Sequence, residues 1–440
     1  MKYTLLDFFT DPVLRAPTIG SILMCVSSSL AGVIVLLRKR ALIGESLSHA
    51  SYPGIALGSI FLYSLLSPQS DLFALGVLFF AFIFAVAAMF VIELLQKRFN
   101  VKDDAALCFV LSSFFGLGVL IASQIQTTHA MIYRQVQTFL YGQSATMLDI
   151  HIYVYGALFL LTAFVVTLLY REIQVLTFDR SFGISIGIRV KLVDVSVLLL
   201  TTLAIVVGIR SVGVVMMAGM LIAPALTARQ LTISLKKTFF IASLVGALSG
   251  FIGNYLSVMI PVFMGEKKFS LPTGPMILLS ASCFFLLALL FSRERGLFTR
   301  LNRVRRFKKN CQRENILKML WKEEQASCSL QEISRRQNLS KLITFFRLKK
   351  LEYKKLITSN SKGYFLTNLG KEKAERIVRL HRLWELYLVH LGHCKDKVHA
   401  SAEDMEHVIT KELEVQLSEL LDHPQMDPHN QPIPRGGERK

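Results

Sequence analysis

Long apolar stretches recur through the first 292 residues of this 440-residue chain, and they constrain its fold more than any other feature. Each stretch is 15 to 24 residues long, and a helix needs about 20 residues to cross a bilayer core. The pattern excludes a wholly soluble protein and predicts an α-helical polytopic membrane protein with about nine transmembrane helices. The predicted spans are 18–37, 53–67, 72–95, 105–125, 150–170, 192–208, 211–227, 239–261 and 275–291.

Helix-breaking residues interrupt the shortest of these stretches. Pro53 begins the second stretch and Pro224 lies in the seventh, each with glycines nearby. Transporters use broken or re-entrant helices of this kind around their binding sites. These two segments are therefore candidates for broken helices as well as for full spans.

Lysine and arginine are unevenly distributed between alternate loops. The loops after the first, third, fifth and seventh spans carry thirteen Lys or Arg residues, and the intervening loops carry four. Because cytoplasmic loops carry the excess, the amino terminus is predicted to lie outside, and nine spans place the carboxyl-terminal region in the cytoplasm. The four residues of the outer loops are Arg134, Arg210, Lys267 and Lys268.

The chain changes character after residue 292. Residues 1–292 contain 19 Lys+Arg and 12 Asp+Glu, whereas the remainder contains 31 and 19. This shift predicts two domains of different kinds, joined at 293–311 by a basic juxtamembrane linker. The linker suits anionic lipid better than direct contact with nucleic acid, and it is also a candidate for proteolysis. The six cysteines show no CxxC spacing and are interpreted as inert packing residues.

Glu45 and His49 lie four residues apart near the second span. At helical spacing they share one face, and a carboxylate with an imidazole is a suitable ligand pair for a divalent cation. Ionisable groups in or near spans are functional candidates because they are costly in lipid. The alternative is a pair that only caps a helix or faces water.

The segment 40–54, with Gly44-Glu-Ser-Leu-Ser-His49 followed by Pro53-Gly54, resembles the signature of the ABC-3 family of manganese, zinc and iron permeases. Further similarity covers 211–215, 221–229, 246–257 and 271–274, so that it extends over most of 10–292. The resemblance implies a bacterial inner-membrane permease in which Glu45 and His49 bind metal in the translocation path. Glu45 stands where the family usually has Asp, which keeps the charge and lengthens the side chain by one methylene.

The resemblance also implies partners. The chain has no Gly-x-x-x-x-Gly-Lys-[Ser/Thr] phosphate loop, so it is not expected to be an enzyme, and ATP hydrolysis is expected on a separate ABC ATPase subunit. The loop 175–195 resembles the coupling segment that contacts this ATPase, through Phe178, Asp179, Gly183 and Gly187; a solvated connection is the alternative. An extracytoplasmic metal-binding protein and a second permease subunit, the same or paralogous, are the other implied partners.

The order of elements after the linker is typical of a winged helix-turn-helix. Amphipathic helical periodicity is followed by a turn at 338–340, a further helix, and an extended pair at 356–366. Leu342, Ile343, Phe346, Leu348 and Leu351 are predicted to form the apolar face of that helix. Because the second helix of such a motif enters the major groove, its polar residues are candidate contacts to operator DNA, although helix charges are often only solvated. The candidates are Lys341, Thr344, Arg347, Lys349 and Lys350.

The last part of the chain contains six imidazole or carboxylate groups at helical spacings. Six such groups without a thiolate favour Mn²⁺ or Fe²⁺ over a structural zinc, with Zn²⁺ still a candidate. A packed or solvated ring is the alternative for any single histidine. The six residues are His381, Glu385, His399, Glu403, Glu406 and His407.

Residues 312–434 resemble the metal-dependent repressors of the diphtheria-toxin and manganese regulator family, through His-Arg-Leu-x-Glu, Val-His-x-x-Ala-Glu-x-x-Glu-His and 427–434. The resemblance implies a winged-helix DNA-binding region at 312–372 and a metal-binding region at 373–440 that forms homodimers. It places all six acid and imidazole groups at ligand positions, and it makes Asn315, on the first helix, a further candidate.

The two resemblances together are similar to the Ytg-type fusion of a permease with a repressor. They imply a metal importer whose tail represses metal-uptake genes, with or without proteolytic release. Two alternatives stay open, namely an importer whose tail is a cytoplasmic metal-sensing gate on transport, and a secondary transporter with an unrelated tail.

Overall fold

The chain folds into two compact units, Met1–Thr299 and Arg300–Lys440. The structure is a computed structural model. It describes residues 4–66, 70–142, 144, 147–264, 271–323, 327–360, 363–394 and 398–434. The predicted outer-loop residues Lys267 and Lys268 lie outside these ranges.

The described part of the first unit is built from helices. They are α1 (Asp7–Thr10), α2 (Pro12–Leu37), α3 (Leu42–Ala50), α4 (Tyr52–Tyr63), α5 (Asp71–Arg98), α6 (Asp103–Thr128), α7 (Ala130–Tyr141), α8 (Asp149–Leu168), α9 (Tyr170–Phe178), α10 (Arg180–Ser185), α11 (Val190–Val212), α12 (Val214–Leu231), α13 (Leu235–Met264) and α14 (Thr273–Phe291). Among the described residues, 8 of these helices are long and apolar enough to cross a membrane: α2, α5, α6, α8 and α11 to α14.

The second predicted span, 53–67, corresponds to α4, which is the second half of a broken helix pair. Only Ser51 separates α3 from α4, and Pro53, which lacks the N–H that a continuous helix would use, occupies the first turn of α4. At 1.5 Å per residue the pair is about 33 Å long, enough for a crossing. Pro224 has no such effect, because α12 continues through it from Val214 to Leu231.

Small residues let the backbones of α2, α12 and α13 approach closely, as is common in membranes. Gly32 of α2 lies against the backbone of Leu221, and Gly250 of α13 lies against the Ser21 carbonyl. The Asn254 amide donates a 2.7 Å hydrogen bond to Thr18 Oγ1 across the α2–α13 interface. Helix α2 is accordingly the most deeply buried span.

The second unit follows the predicted order of helices and hairpin. Its elements are α15 (Leu297–Lys322), α16 (Leu330–Arg336), α17 (Lys341–Tyr353), β1 (Ile357–Asn360), β2 (Gly363–Leu366), α18 (Asn368–His390), α19 (His399–Met405) and α20 (Lys411–Leu420). The strands are antiparallel, with Ile357 opposite Leu366. Ser361 and Lys362 of the predicted turn lie outside the described residues.

Helix α17 begins where the polar turn predicts it, whereas most of the region predicted as a linker is part of helix α15. Ser340 caps α17 by accepting a hydrogen bond from the Ile343 N–H, as the polar turn at 338–340 predicts. The predicted linker 293–311 is largely helical, because α15 runs without interruption from Leu297 to Lys322. Exposed, non-helical backbone in this region is confined to the turn at 293–295.

The apolar face predicted for α17 is partly wrong. Leu348 and Leu351 are buried, but Leu342, Ile343 and Phe346 are exposed. Thr344 is buried in their place and its hydroxyl donates to the Ser340 carbonyl. The core that this helix joins contains Ile316, Leu317, Ile333, Leu356 and Ile357.

The helix crossing at Gly32 provides a test of the packing. A Cβ at this position would overlap the carbonyl oxygen of Leu221, whereas a Cβ on exposed Gly116 of α6 has nothing within 4 Å. We expect Gly32→Ala to destabilise the chain by about 1–3 kcal/mol through overpacking, and Gly116→Ala to be neutral or slightly stabilising, since alanine favours helices. Thermal unfolding in detergent measures both, and equal midpoints for the two variants would contradict this packing.

Candidate metal centre

The predicted ligands of the second unit come from two helices and the turn that follows. His381 and Glu385 lie one turn apart on the buried face of α18, and His399 begins α19. Glu406 and His407 follow directly after α19. His381, Glu385 and Glu406 are buried, with exposed fractions of 6%, 2% and 3%.

Three of these side chains converge. His381, Glu385 and His399 each offer a ligand atom within 4.8 Å of the other two. Glu385 Oε1 lies 3.2 Å from His381 Nε2 and 2.8 Å from His399 Nδ1. One carboxylate and two imidazoles fit a divalent transition metal, and we refer to this group as the triad. Glu403 lies at its rim, 3.6 Å from His399 Nε2 and exposed.

The remaining predicted ligands form other contacts. Glu406 Oε2 lies 2.6 Å from the other nitrogen of His381, Nδ1, and 2.6 Å from the Lys318 ammonium of α15. His407 contacts Glu314 Oε2 at 2.8 Å and Asn315 Oδ1 at 2.9 Å. The candidate Asn315 therefore contacts His407 and is not part of the triad.

The sequence places Lys318 one turn after the candidate Asn315, a departure from the repressor family that could weaken or rebuild one metal site, but it does not predict Lys318 or Glu314 as ligands. The only sequence signal is that both lie within one turn of Asn315 on the first helix. Lys318 occupies a position flanked by the buried Leu317 and Met319, where a lysine is rarely found without a partner.

Hydrogen bonding sets the charges of the cluster. Burial alone raises the pKa of Glu385, but hydrogen bonds to His381 and His399 outweigh it and lower this pKa to about 2. Burial similarly opposes ionisation of His381, yet its hydrogen bonds to Glu385 and Glu406 raise its pKa above the ordinary value. Glu406 has a lowered pKa, because His381 and Lys318 outweigh its desolvation.

The membrane pair lies on α3. Glu45 and His49 are both half-buried, and His49 Nδ1 is buried with no hydrogen-bond partner among the described residues. The His49 ring packs edge-on against Phe115, with centroids 4.7 Å apart. Ser46 Oγ donates to the Leu107 carbonyl at 3.0 Å and Ser48 Oγ donates to the Val214 carbonyl, which holds α3 between α6 and α12.

The predicted coupling segment forms the short helices α9 and α10. Asp179 caps α10 by accepting a 2.9 Å hydrogen bond from the Phe182 N–H. Gly183 packs under Leu176, and Gly187 has a positive φ of 83° with no atom near its Cβ position. Phe178 is 79% exposed and Phe182 54%. An apolar surface of this kind in a loop is typical of a docking site.

The candidate DNA-contacting residues of α17 fall into three groups. Lys341, Lys349 and Lys350 are exposed. Arg347 is half-buried and donates a 3.1 Å hydrogen bond from Nε to Gln312 Oε1. Thr344 is fully buried, which excludes direct contact with DNA in this conformation.

The chain matches two protein-family models. Residues 10–292 match the ABC 3 transport family. Residues 367–435 match the metal binding and dimerisation domain of iron dependent repressors.

Similar proteins support the match to the transport family. A probable metal transport system membrane protein of Chlamydia trachomatis is 34% identical, covering 97% of each chain. The manganese transport system membrane protein MntC of Bacillus subtilis is 30% identical over 84% of this chain and 83% of its own length. The solved structure of PsaBC from Streptococcus pneumoniae in complex with Fab shares the fold, with a TM-score of 0.56, 23% identity, and coverage of 66% of this chain and 96% of that one.

The predicted resemblances and the helical fold class are thereby confirmed. The chain belongs to the ABC 3 transport family, and its membrane permease is followed by a metal binding and dimerisation domain of the iron dependent repressor type.

Proposed function

We propose that this chain is the membrane subunit of an ATP-driven importer of divalent metal ions, and that its second unit senses the imported metal and represses metal-uptake genes. The observation that carries the proposal is the triad, in which the buried His381 and Glu385 meet the exposed His399, in a chain whose larger part matches a permease family. Similar proteins are named for the transport of manganese and zinc. Mn²⁺ and Fe²⁺ suit the oxygen and nitrogen ligands, and Zn²⁺ is a third candidate.

For transport, we propose that the ion passes Glu45 and His49 on α3. The unpartnered Nδ1 of His49 supports this role, because a buried nitrogen without a hydrogen bond is costly unless it has a ligand. Packing of α3 against α6 and α12 would keep the two side chains in place. An extracytoplasmic metal-binding protein would deliver the ion, and a second permease subunit would complete the pathway.

The energy would come from a separate ABC ATPase that docks on α9 and α10. The exposed Phe178 and Phe182 support this site. Asp194 of α11 ties the segment to the helix bundle, since it pairs with Arg180 at 2.7 Å and with Arg38 at 2.8 Å. Movement of the docked segment would thus be transmitted to α11 and α2.

We propose that the amino terminus lies outside a bacterial inner membrane and the second unit lies in the cytoplasm. The distribution of Lys and Arg supports this orientation, and counting the α3–α4 pair as one crossing beside the eight long helices would give the odd number that it requires. The cationic residues at the start of α15 would then lie next to anionic lipid headgroups.

Inside the cell, a metal ion at the triad would fix the position of α19 on α18 and stabilise a homodimer of the second unit. The dimer would present the exposed Lys341, Lys349 and Lys350 of two copies of α17 to operator DNA. Arg347 would have to give up its hydrogen bond to Gln312 to reach DNA, and the buried Thr344 is not proposed as a contact.

The continuity of α15 favours a second candidate, in which the tail gates transport. This helix begins at Leu297 and extends into the core of the second unit. A change at the triad could therefore reach the membrane through a single helix. Proteolytic release, by contrast, would be confined to the turn at 293–295, because proteases bind extended backbone.

The transport pathway is tested by Glu45→Gln and His49→Ala in the reconstituted importer. We expect either change to reduce uptake of radiolabelled Mn²⁺ by about tenfold or more, since losing even a group that only supports a metal ligand typically costs about 10–100-fold in affinity or activity. Glu93→Gln is the control, because Glu93 is an exposed carboxylate on α5 that pairs with Lys97 and with no other described residue. Uptake that survives both changes would exclude the proposed pair.

The sensing role is tested by Glu385→Gln and His399→Ala. We expect each to abolish Mn²⁺-dependent binding of the full chain, in nanodiscs, to DNA from upstream of its own coding sequence, while uptake stays at the wild-type rate. His429→Ala is the control, since its exposed ring belongs to the same unit. Mobility shifts at one fixed salt concentration measure binding. Metal-dependent binding by His399→Ala would contradict a sensor at the triad, and loss of uptake would favour the gate.

A further inference from the structure

Lys318 is a buried cation inside the cluster of metal-binding side chains. Only 8% of the residue is exposed, so its ammonium does not reach water in the way that most lysines do. Its neighbours Ile316, Leu317 and Leu320 belong to the hydrophobic core of the unit. A charge in such a place has to be compensated by its contacts.

The ammonium contacts two of the six predicted ligands, and its charge is compensated by one of them, the Glu406 carboxylate. Lys318 Nζ lies 2.6 Å from Glu406 Oε2 and 3.2 Å from His381 Nδ1. Glu406 Oε2 and His381 Nδ1 are themselves 2.6 Å apart. The three atoms form a closed triangle, in which the ammonium occupies the position beside a carboxylate and an imidazole that a metal ion would take.

His381 joins this triangle to the triad. Its Nδ1 faces Glu406 and Lys318, while its Nε2 faces Glu385 and His399. The two sides of one imidazole therefore border two neighbouring sites. The Nδ1 side holds the Lys318 cation, whereas the Nε2 side faces Glu385 and His399, neither of which has a Lys or Arg among its hydrogen-bond partners in the described residues.

Donor atoms for a second ion are present around Glu406. His407 Nε2 lies 3.6 Å from Glu406 Oε1, and Glu314 contacts the same imidazole. A metal ion beside Glu406 would have to displace the Lys318 ammonium, because an ammonium that stayed nearby would repel the ion. Binding of a second ion is prevented by the Lys318 ammonium in this position, and not by a shortage of ligands for the ion.

We propose that Lys318 is an internal cation that substitutes for a second metal ion, so that the second unit binds one divalent ion per chain, at the triad. The inference rests on the proposed metal-sensing function and specifies its stoichiometry. Lys318 also acts as a positioning residue, because it holds Glu406 and keeps the His381 ring in the orientation in which Nε2 faces Glu385 and His399.

The test is the number of Mn²⁺ ions bound per full chain in nanodiscs, measured by equilibrium dialysis and elemental analysis. We expect Lys318→Met to bind one ion more than the wild type, and Glu406→Gln in that background to remove it again. Lys318→Arg keeps the charge and should keep the wild-type number. Lys322→Met, an exposed lysine one turn away on α15, is the surface control.

Thermal unfolding supplies a second readout. Without metal, Lys318→Met should unfold at a lower temperature than the wild type, because Glu406 loses the cation that compensates its buried charge. Saturating Mn²⁺ should raise the midpoint of Lys318→Met more than that of the wild type, since an additional ion binds the folded state.

Two single changes keep the proposal testable if Lys318→Met fails to fold. In the wild-type background, Glu406→Gln should leave the number of bound ions unchanged, and His399→Ala should lower it by one. An ion lost with Glu406→Gln, or equal numbers in Lys318→Met and the wild type, would overturn the role of Lys318. An unchanged number in His399→Ala would instead overturn the sensor itself.

Discussion

The membrane unit depends on one constraint, that backbone groups in hydrocarbon must be hydrogen-bonded within the protein. This constraint makes the apolar stretches helical, and small residues such as Gly32 and Gly250 then let α2, α12 and α13 pack closely. The break at Ser51 is placed beside α6 and α12, where the Ser46 and Ser48 hydroxyls bond neighbouring carbonyls. The same arrangement positions Glu45 and His49, so the candidate translocation pair is a consequence of how the bundle packs.

The second unit uses the same two side-chain types in a different setting. In the tail, carboxylates and imidazoles are buried together and balance each other: His381 compensates Glu385, and Lys318 compensates Glu406. A sensor of this kind can be preorganised without metal, because Lys318 holds one half of the cluster together. In the proposed sensor, an ion would have to complete only the triad, and it would thereby link α18 to α19.

The sequence predicts features that depend on local spacing. Hydrophobicity gives the spans, helical spacing pairs Glu45 with His49 and His381 with Glu385, and Ser340 marks the start of α17. Prediction from the sequence fails where the position of a side chain depends on contacts with residues far away along the chain. The periodicity of α17 does not reveal that Thr344 faces the core while Phe346 faces solvent, and the contact between Lys318 and Glu406 joins residues 88 positions apart. A long basic helix, α15, also appears where charge alone predicts a linker.

The account depends most on where a metal ion lies in the second unit. Anomalous X-ray scattering at the manganese edge, from crystals of the Mn²⁺-loaded full chain, locates it directly. We expect one peak in this unit, about 2–2.5 Å from His381 Nε2, Glu385 Oε1 and His399 Nδ1, with Lys318 still bonded to Glu406. The account would be contradicted by the absence of a peak at the triad, or by a peak beside Glu406 with the ammonium turned away.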